Sequence, residues 1–232
     1  GYKTIICNSE HDSEKEREYI EMLEANQVDG IISGSHNLGI EDYNRVTAPI
    51  ISFDRNLSPD IPVVSSDNYA GGVLAAQTLV KTGAKSIIMI TGNDNSNSPT
   101  GLRHAGFASV LPKAPIINVS SDFSPVRKEM EIKNILTRQK PDAIFASDDL
   151  TAILVIKIAQ ELGISVPEEL KVIGYDGTYF IENYYPQLAT IKQPLEEIAC
   201  LTVDLLLQKI EGKEVATTGY FLPVTLLPGK SI

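Results

Sequence analysis

The residues best placed to do chemistry are acidic and amide side chains that follow short apolar runs. Asp54-Arg55 follows Ile50–Phe53, Asp67 follows Pro62–Ser65, and Asp148-Asp149 follows Ala143–Ala146. Asp176 follows Lys171–Gly174, and Gln193 follows Ala189–Lys192. Apolar runs of this length read as buried strands. Open α/β sheets bind ligands beyond the carboxyl ends of their strands. An ionised carboxylate only accepts hydrogen bonds, a guanidinium donates in a fixed fork, and an amide does both. Such a convergent set suits a ligand rich in hydroxyl groups. Each position also has a plainer reading. Asp54 and Arg55 make a loop ion pair, Asp67 and Asp148 cap helices, Asp149 orients a helix start, and Asp176 before Gly177 shapes a turn.

Catalytic signatures are missing from the sequence. There is no Gly-x-x-x-x-Gly-Lys-Ser/Thr phosphate loop, no Gly-x-Ser-x-Gly elbow and no His-Glu-x-x-His. Gly71-Gly72 lies inside a helical stretch without the spacing of a dinucleotide fingerprint. A hydrolase built on Asp148, Asp149 and Asp176 is the enzyme alternative; the sequence as a whole reads as a non-enzyme with no cofactor. Three scattered histidines, His11, His36 and His104, do not suggest a zinc cluster, and Cys7 and Cys200 make no disulfide framework. That cysteine usage fits a reducing compartment.

The elements that must position these residues alternate along the chain. Strands are expected at Thr4–Cys7, Gly30–Ser33, Ile50–Phe53 and Pro62–Ser65, the last at a sheet edge because of its proline. Helices are expected over Ser13–Ala25 and from Asp67-Asn68 to Lys81, where Gly83 supplies a C-terminal cap. The pattern restarts after Gly83. Strands fall at Ser86–Thr91, Ile116–Val119, Ala143–Ala146 and Lys171–Gly174, and helices at Thr100–Leu111, Pro125–Arg138 and Asp149–Leu162. Pro194 opens a helix to Ile210, and Tyr220–Leu227 reads as one terminal strand. Unbroken apolar strands suit parallel sheet covered by helices on both faces. With 232 residues, 43% hydrophobic and 22% charged, the chain has room for two α/β lobes. Twenty basic against thirty acidic residues give a net charge of −10, which disfavours a direct grip on DNA phosphates. No apolar run is long enough to cross a membrane.

Several segments resemble the LacI/GalR family of sugar-responsive repressors. They are Gly1–Ser9, Val28–Ile32, Phe53-Asp54-Arg55, Ser66–Gly72, Arg103–Phe107, Pro141–Ala146, Val172–Asp176 and Leu188–Pro194. In order they cover nearly the whole chain. The resemblance implies two similar lobes of parallel sheet flanked by helices, a periplasmic binding protein-like fold with a ligand cleft between the lobes. Its boundaries would be 1–82 plus 192–212 and 83–191 plus 213–232. It implies ligand contacts from Asp54, Arg55, Asp67, Arg103, Phe123, Asp148, Asp176 and Gln193. The loop Asn93–Ser98, with Asn97 and Pro99, would close over the site. Where the family usually carries Asn, this chain has Asp148, which implies a different effector preference. The family core would also begin with a strand and helix ahead of Gly1. The implied partners are a sugar effector, a second copy in a homodimer, and operator DNA through a helix-turn-helix head outside these residues, all in the cytoplasm. Asp54-Arg55 and Tyr175–Thr178 lean towards ribose, with sucrose, fructose and a phosphorylated sugar open. A sugar receptor of a transport system is the alternative.

Overall fold

The apolar runs become parallel strands in the computed structural model, which describes residues 1–10, 12–35, 43, 45–92, 98–120, 123–217 and 219–232. His11, His36, Asn97, the 121–122 pair and most of the 93–98 loop lie outside the described residues. The chain forms two compact units. One holds Gly1–Ser66 and Leu195–Leu222; the other holds Asp67–Pro194 and Pro223–Ile232.

The first unit runs α1 (Ser13–Ala25), β1 (Ile31–Ser33), β2 (Ile50–Phe53) and β3 (Val63–Ser66). The second contributes α2 (Asn68–Lys81), β4 (Ile87–Thr91), α3 (Pro99–Val110), β5 (Ile116–Asn118), α4 (Pro125–Arg138) and β6 (Ala143–Ala146). It continues through α5 (Asp149–Glu161), β7 (Lys171–Asp176), α6 (Tyr179–Tyr184) and β8 (Ala189–Lys192). The chain then returns to the first unit for α7 (Leu195–Ile210) and β9 (Tyr220–Leu222), and ends with β10 (Thr225–Leu227) in the second. Among the described residues the sheet orders are β1-β2-β3-β9 and β10-β8-β7-β6-β4-β5. Every pairing is parallel except β10 with β8.

Alternation along the second sheet feeds two cores, because successive side chains point to opposite faces. Ile88, Ile90, Ile144 and Val172 pack with α4 and α5 residues such as Ile132 and Val155. Ile87, Met89, Phe145, Ile173 and Tyr175 pack with α2 and α3 through Leu79 and Phe107. In the first unit, α1 covers one face through Ile20, and α7 covers the other through Ile198 and Leu205. Helix starts carry the caps their sequences offer. Asp12, Asp67, Ser98, Ser124 and Asp148 each accept a backbone N–H of the following turn.

Four expectations change. The first unit ends at Ser66, not near Gly83, because α2 docks on α3 at glycines. A β-carbon on Gly72 would overlap the Arg103 carbonyl oxygen, and one on Gly106 the Tyr69 carbonyl oxygen. β3 is interior, between β2 and β9. Pro62 precedes it and costs the ladder no donor; its carbonyl accepts Ser52 N–H at 2.9 Å. Thr4–Cys7 is not a strand. Ile5 and Ile6 are exposed, and no described strand pairs with them. Tyr220–Leu227 is two strands in two sheets, divided at Pro223 where a ladder donor is missing.

Candidate functional site

Arg103 is the centre of the polar groups in the six-stranded unit. It lies on α3, whose start Ser98 and Pro99 define, and only 6% of it is exposed. A buried guanidinium needs acceptors for its donors and a surface for its face. Nε donates to Asn68 Oδ1 at 2.8 Å, and Nη1 donates to the Ser147 carbonyl at 2.7 Å. The guanidinium carbon stands 3.7 Å from the centre of the Tyr175 ring. Three elements thus hold one side chain: the start of α2, the end of β6 and the end of β7. These bonds use Nε and Nη1, so Nη2 remains a donor for a ligand oxygen.

Asp176 closes β7 beside it. Its Oδ1 is 3.6 Å from Arg103 Nη1, too long for a hydrogen bond but close enough for strong attraction. The same oxygen accepts Gln193 Nε2 at 2.7 Å, while Gln193 N–H donates to the Asp176 carbonyl at 2.9 Å. Arg103, Asp176 and Gln193 are therefore one connected set. The backbone at Asp176 has φ 124°, and the following Gly177 has φ 59°.

Asp149 differs from the expected helix-start role. Asp148 makes the cap, with Oδ1 accepting Thr151 N–H at 2.7 Å and Oδ2 accepting the Thr151 hydroxyl at 2.8 Å. Asp149 instead reaches β7 and β8: Oδ2 accepts Gly177 N–H at 2.8 Å, and Oδ1 accepts the Thr190 hydroxyl at 2.5 Å. Burial pushes its carboxyl up to about 7; the two hydrogen bonds oppose that rise, and the charges of Asp176 and Asp148 add to it.

The other expected residues have local partners of their own. Asp67 caps α2 through Ala70 N–H at 2.8 Å. Phe123 is half-buried against the α4–α5 core, and the Arg127 guanidinium stacks on it at 3.6 Å. Asp54 and Arg55 belong to the four-stranded unit. Asp54 has φ 61° and accepts the Ser65 hydroxyl at 3.1 Å, and the Arg55 carbonyl accepts the Ser52 hydroxyl. Sequence reasoning missed Asn68, Ser147, Tyr175 and Thr190. Thr190 carried a signal: it is a polar residue between apolar, buried neighbours in its strand.

A family model for a periplasmic binding protein-like domain matches residues 76–232. A sucrose operon repressor from Streptococcus mutans is 62% identical over 232 residues, which cover all of this chain and 72% of that protein. A ribose operon repressor from Halalkalibacterium halodurans is 32% identical over 231 residues, covering 98% of this chain and 69% of that protein. Among solved structures, a periplasmic binding protein/LacI transcriptional regulator from Alkaliphilus metalliredigens, complexed with D-xylulofuranose, superposes with a TM-score of 0.88. It is 31% identical, and the match covers 100% of this chain and 88% of that one.

Proposed function

This chain belongs to the LacI/GalR family as its effector-binding core, and we propose that it senses a sugar and couples that event to operator binding. The observation that carries the reading is the buried Arg103, held in one orientation beside Asp176 and Gln193 at the carboxyl end of β7. A fixed fork donor next to an acceptor suits adjacent hydroxyls of a sugar ring. Asp67, Phe123 and Asp148 of the same unit are further proposed contacts. Phe123 offers a ring face to the apolar side of the sugar.

The sugar is one that presents a five-membered ring. Sucrose, named for the Streptococcus relative's operon, contains a fructofuranosyl unit, and the Alkaliphilus neighbour holds D-xylulofuranose. Binding favours one of two arrangements with different affinity for operator DNA. DNA contact falls to a helix-turn-helix head outside these residues. The transport-receptor alternative is not favoured, because the relatives named are operon repressors. The protein releases its sugar unchanged and works in the cytoplasm. No described helix is long and apolar enough to cross a membrane.

We further propose a homodimer formed by the six-stranded unit. Val126, Met130, Leu150, Tyr179, Phe180 and Tyr184 on α4, α5 and α6 are all more than half exposed. Phe180 and Tyr184 stack at 5.1 Å. Exposed aromatic and aliphatic side chains of this kind suit a contact with another protein chain. A thermal-shift panel of sucrose, fructose, fructose 6-phosphate and D-ribose tests the sensor. A sugar that raises the unfolding midpoint and changes operator retention supports the reading. No shift from any of them overturns it.

A further inference from the structure

Asp149 is 3% exposed, and its carboxylate bridges the two paired strands that deliver Asp176 and Gln193. Its Oδ2 holds the N–H of Gly177, which belongs to the peptide joining Asp176 to Gly177. Its Oδ1 holds Thr190, which pairs with Gly174 across β7 and β8. Gly174 carries no side chain where the Asp149 Oδ1 atom sits; a β-carbon there would overlap it. The turn it grips is strained. Asp176 at φ 124° lies outside the left-handed well that aspartate visits, so an external bond must hold the peptide.

Resting on the reading of Asp176 as an effector contact, we infer that Asp149 is a positioning residue that sets Asp176 and Gln193 toward the sugar without touching it. The requirement is for two hydrogen-bonding atoms rather than for charge. Asparagine has the same shape, can accept Gly177 N–H through its oxygen, and can donate to the Thr190 oxygen. Alanine leaves both partners unheld.

The test is calorimetric titration of the full-length repressor with sucrose, and in parallel with fructose and D-ribose. Asp149→Ala weakens binding by about tenfold or more, and Asp149→Asn stays within about threefold of the parent. Asp149→Ala placed on Asp176→Ala adds less than about twofold, because residues acting through one another are not additive. The inference is overturned by an Asp149→Ala protein that binds like the parent, or by a full tenfold loss that persists without Asp176. If circular dichroism shows Asp149→Ala unfolded, Thr190→Val replaces it in the same cycle. About a threefold loss that vanishes in the Asp176→Ala background is then expected, and an unchanged affinity sinks the idea. An Asp176→Ala protein that binds as tightly as the parent overturns the site reading and this inference with it. Loss at Asp176 without loss at Asp149 overturns this inference alone.

Discussion

Asp54 and Asp176 both sit at the carboxyl end of a parallel strand on a positive φ, yet the two units treat them differently. At 61°, Asp54 occupies the left-handed well that Asp and Asn populate at little cost. Its side-chain partner is one neutral hydroxyl, Ser65. At 124°, Asp176 is outside that well, in territory that costs about 1–3 kcal/mol for a non-glycine residue. It is held by Gln193, faced by Arg103, and gripped through the next peptide by Asp149. The lesson is that similar residues at similar places differ in preorganisation. The six-stranded unit carries a polar group already aimed, and the four-stranded unit carries one free to adjust.

The sharpest way to break this contrast is Arg103→Ala. It leaves Asn68 and the Ser147 carbonyl short of a donor and Asp176 without its cation, so sugar affinity falls by at least about 100-fold in calorimetry. Next, Asp176→Ala costs about 10–100-fold, while Asp54→Ala costs less than about fivefold. Equal losses would erase the distinction between the units.

Protonation supplies a third handle. Asp149 has a folded pKa near 7, above the ordinary carboxylate value of 3.8, so the folded chain holds a proton there that the unfolded chain has lost. The resulting stability is fully present below about pH 4 and is lost as pH rises through about 7. The charged groups that act on it are Asp176 and Asp148, and Arg103 in turn faces Asp176. Denaturant melts between pH 5 and 8 should lose stability at up to about 1.4 kcal/mol per unit from this group. Asp149→Asn should remove that slope, and a slope that survives would assign it elsewhere. The smallest effect belongs to the relaxed end. Asp54→Gly should change stability by less than about 1 kcal/mol in thermal melts, whereas Asp176→Gly should destabilise despite relieving its φ.

The parallel sheets were legible because β4, β6 and the Val172–Tyr175 centre of β7 are buried runs with little polar interruption, and a run buried on both faces needs only hydrophobicity to be recognised. Thr4–Cys7 has the same composition, but a strand also needs a neighbouring ladder, which composition does not report. Pro62 misled for a related reason: proline harms a ladder only where a donor is required, and it stands one residue ahead of β3. Arg103, Asp176 and Gln193 could be picked out from strand ends and family resemblance. Asn68 and Tyr175 could not. Their role is to hold Arg103, from positions 35 residues before it and on a different element after it. Such long-range support is a property of packing, not of local pattern.

The glycine contacts between α2 and α3 bear on how this sensor can be retuned. Gly72 and Gly106 bring two helix backbones together, so the base from which Arg103 projects is set by main chain. Asn68 apart, side-chain exchange on either helix therefore has little leverage over where the arginine points. A library meant to shift the sensor to another sugar should leave Gly72, Gly106 and Arg103 constant and vary Phe123, Asp148 and Gln193. In engineering language, α2 and α3 form the chassis, and sugar choice is adjusted at the fittings.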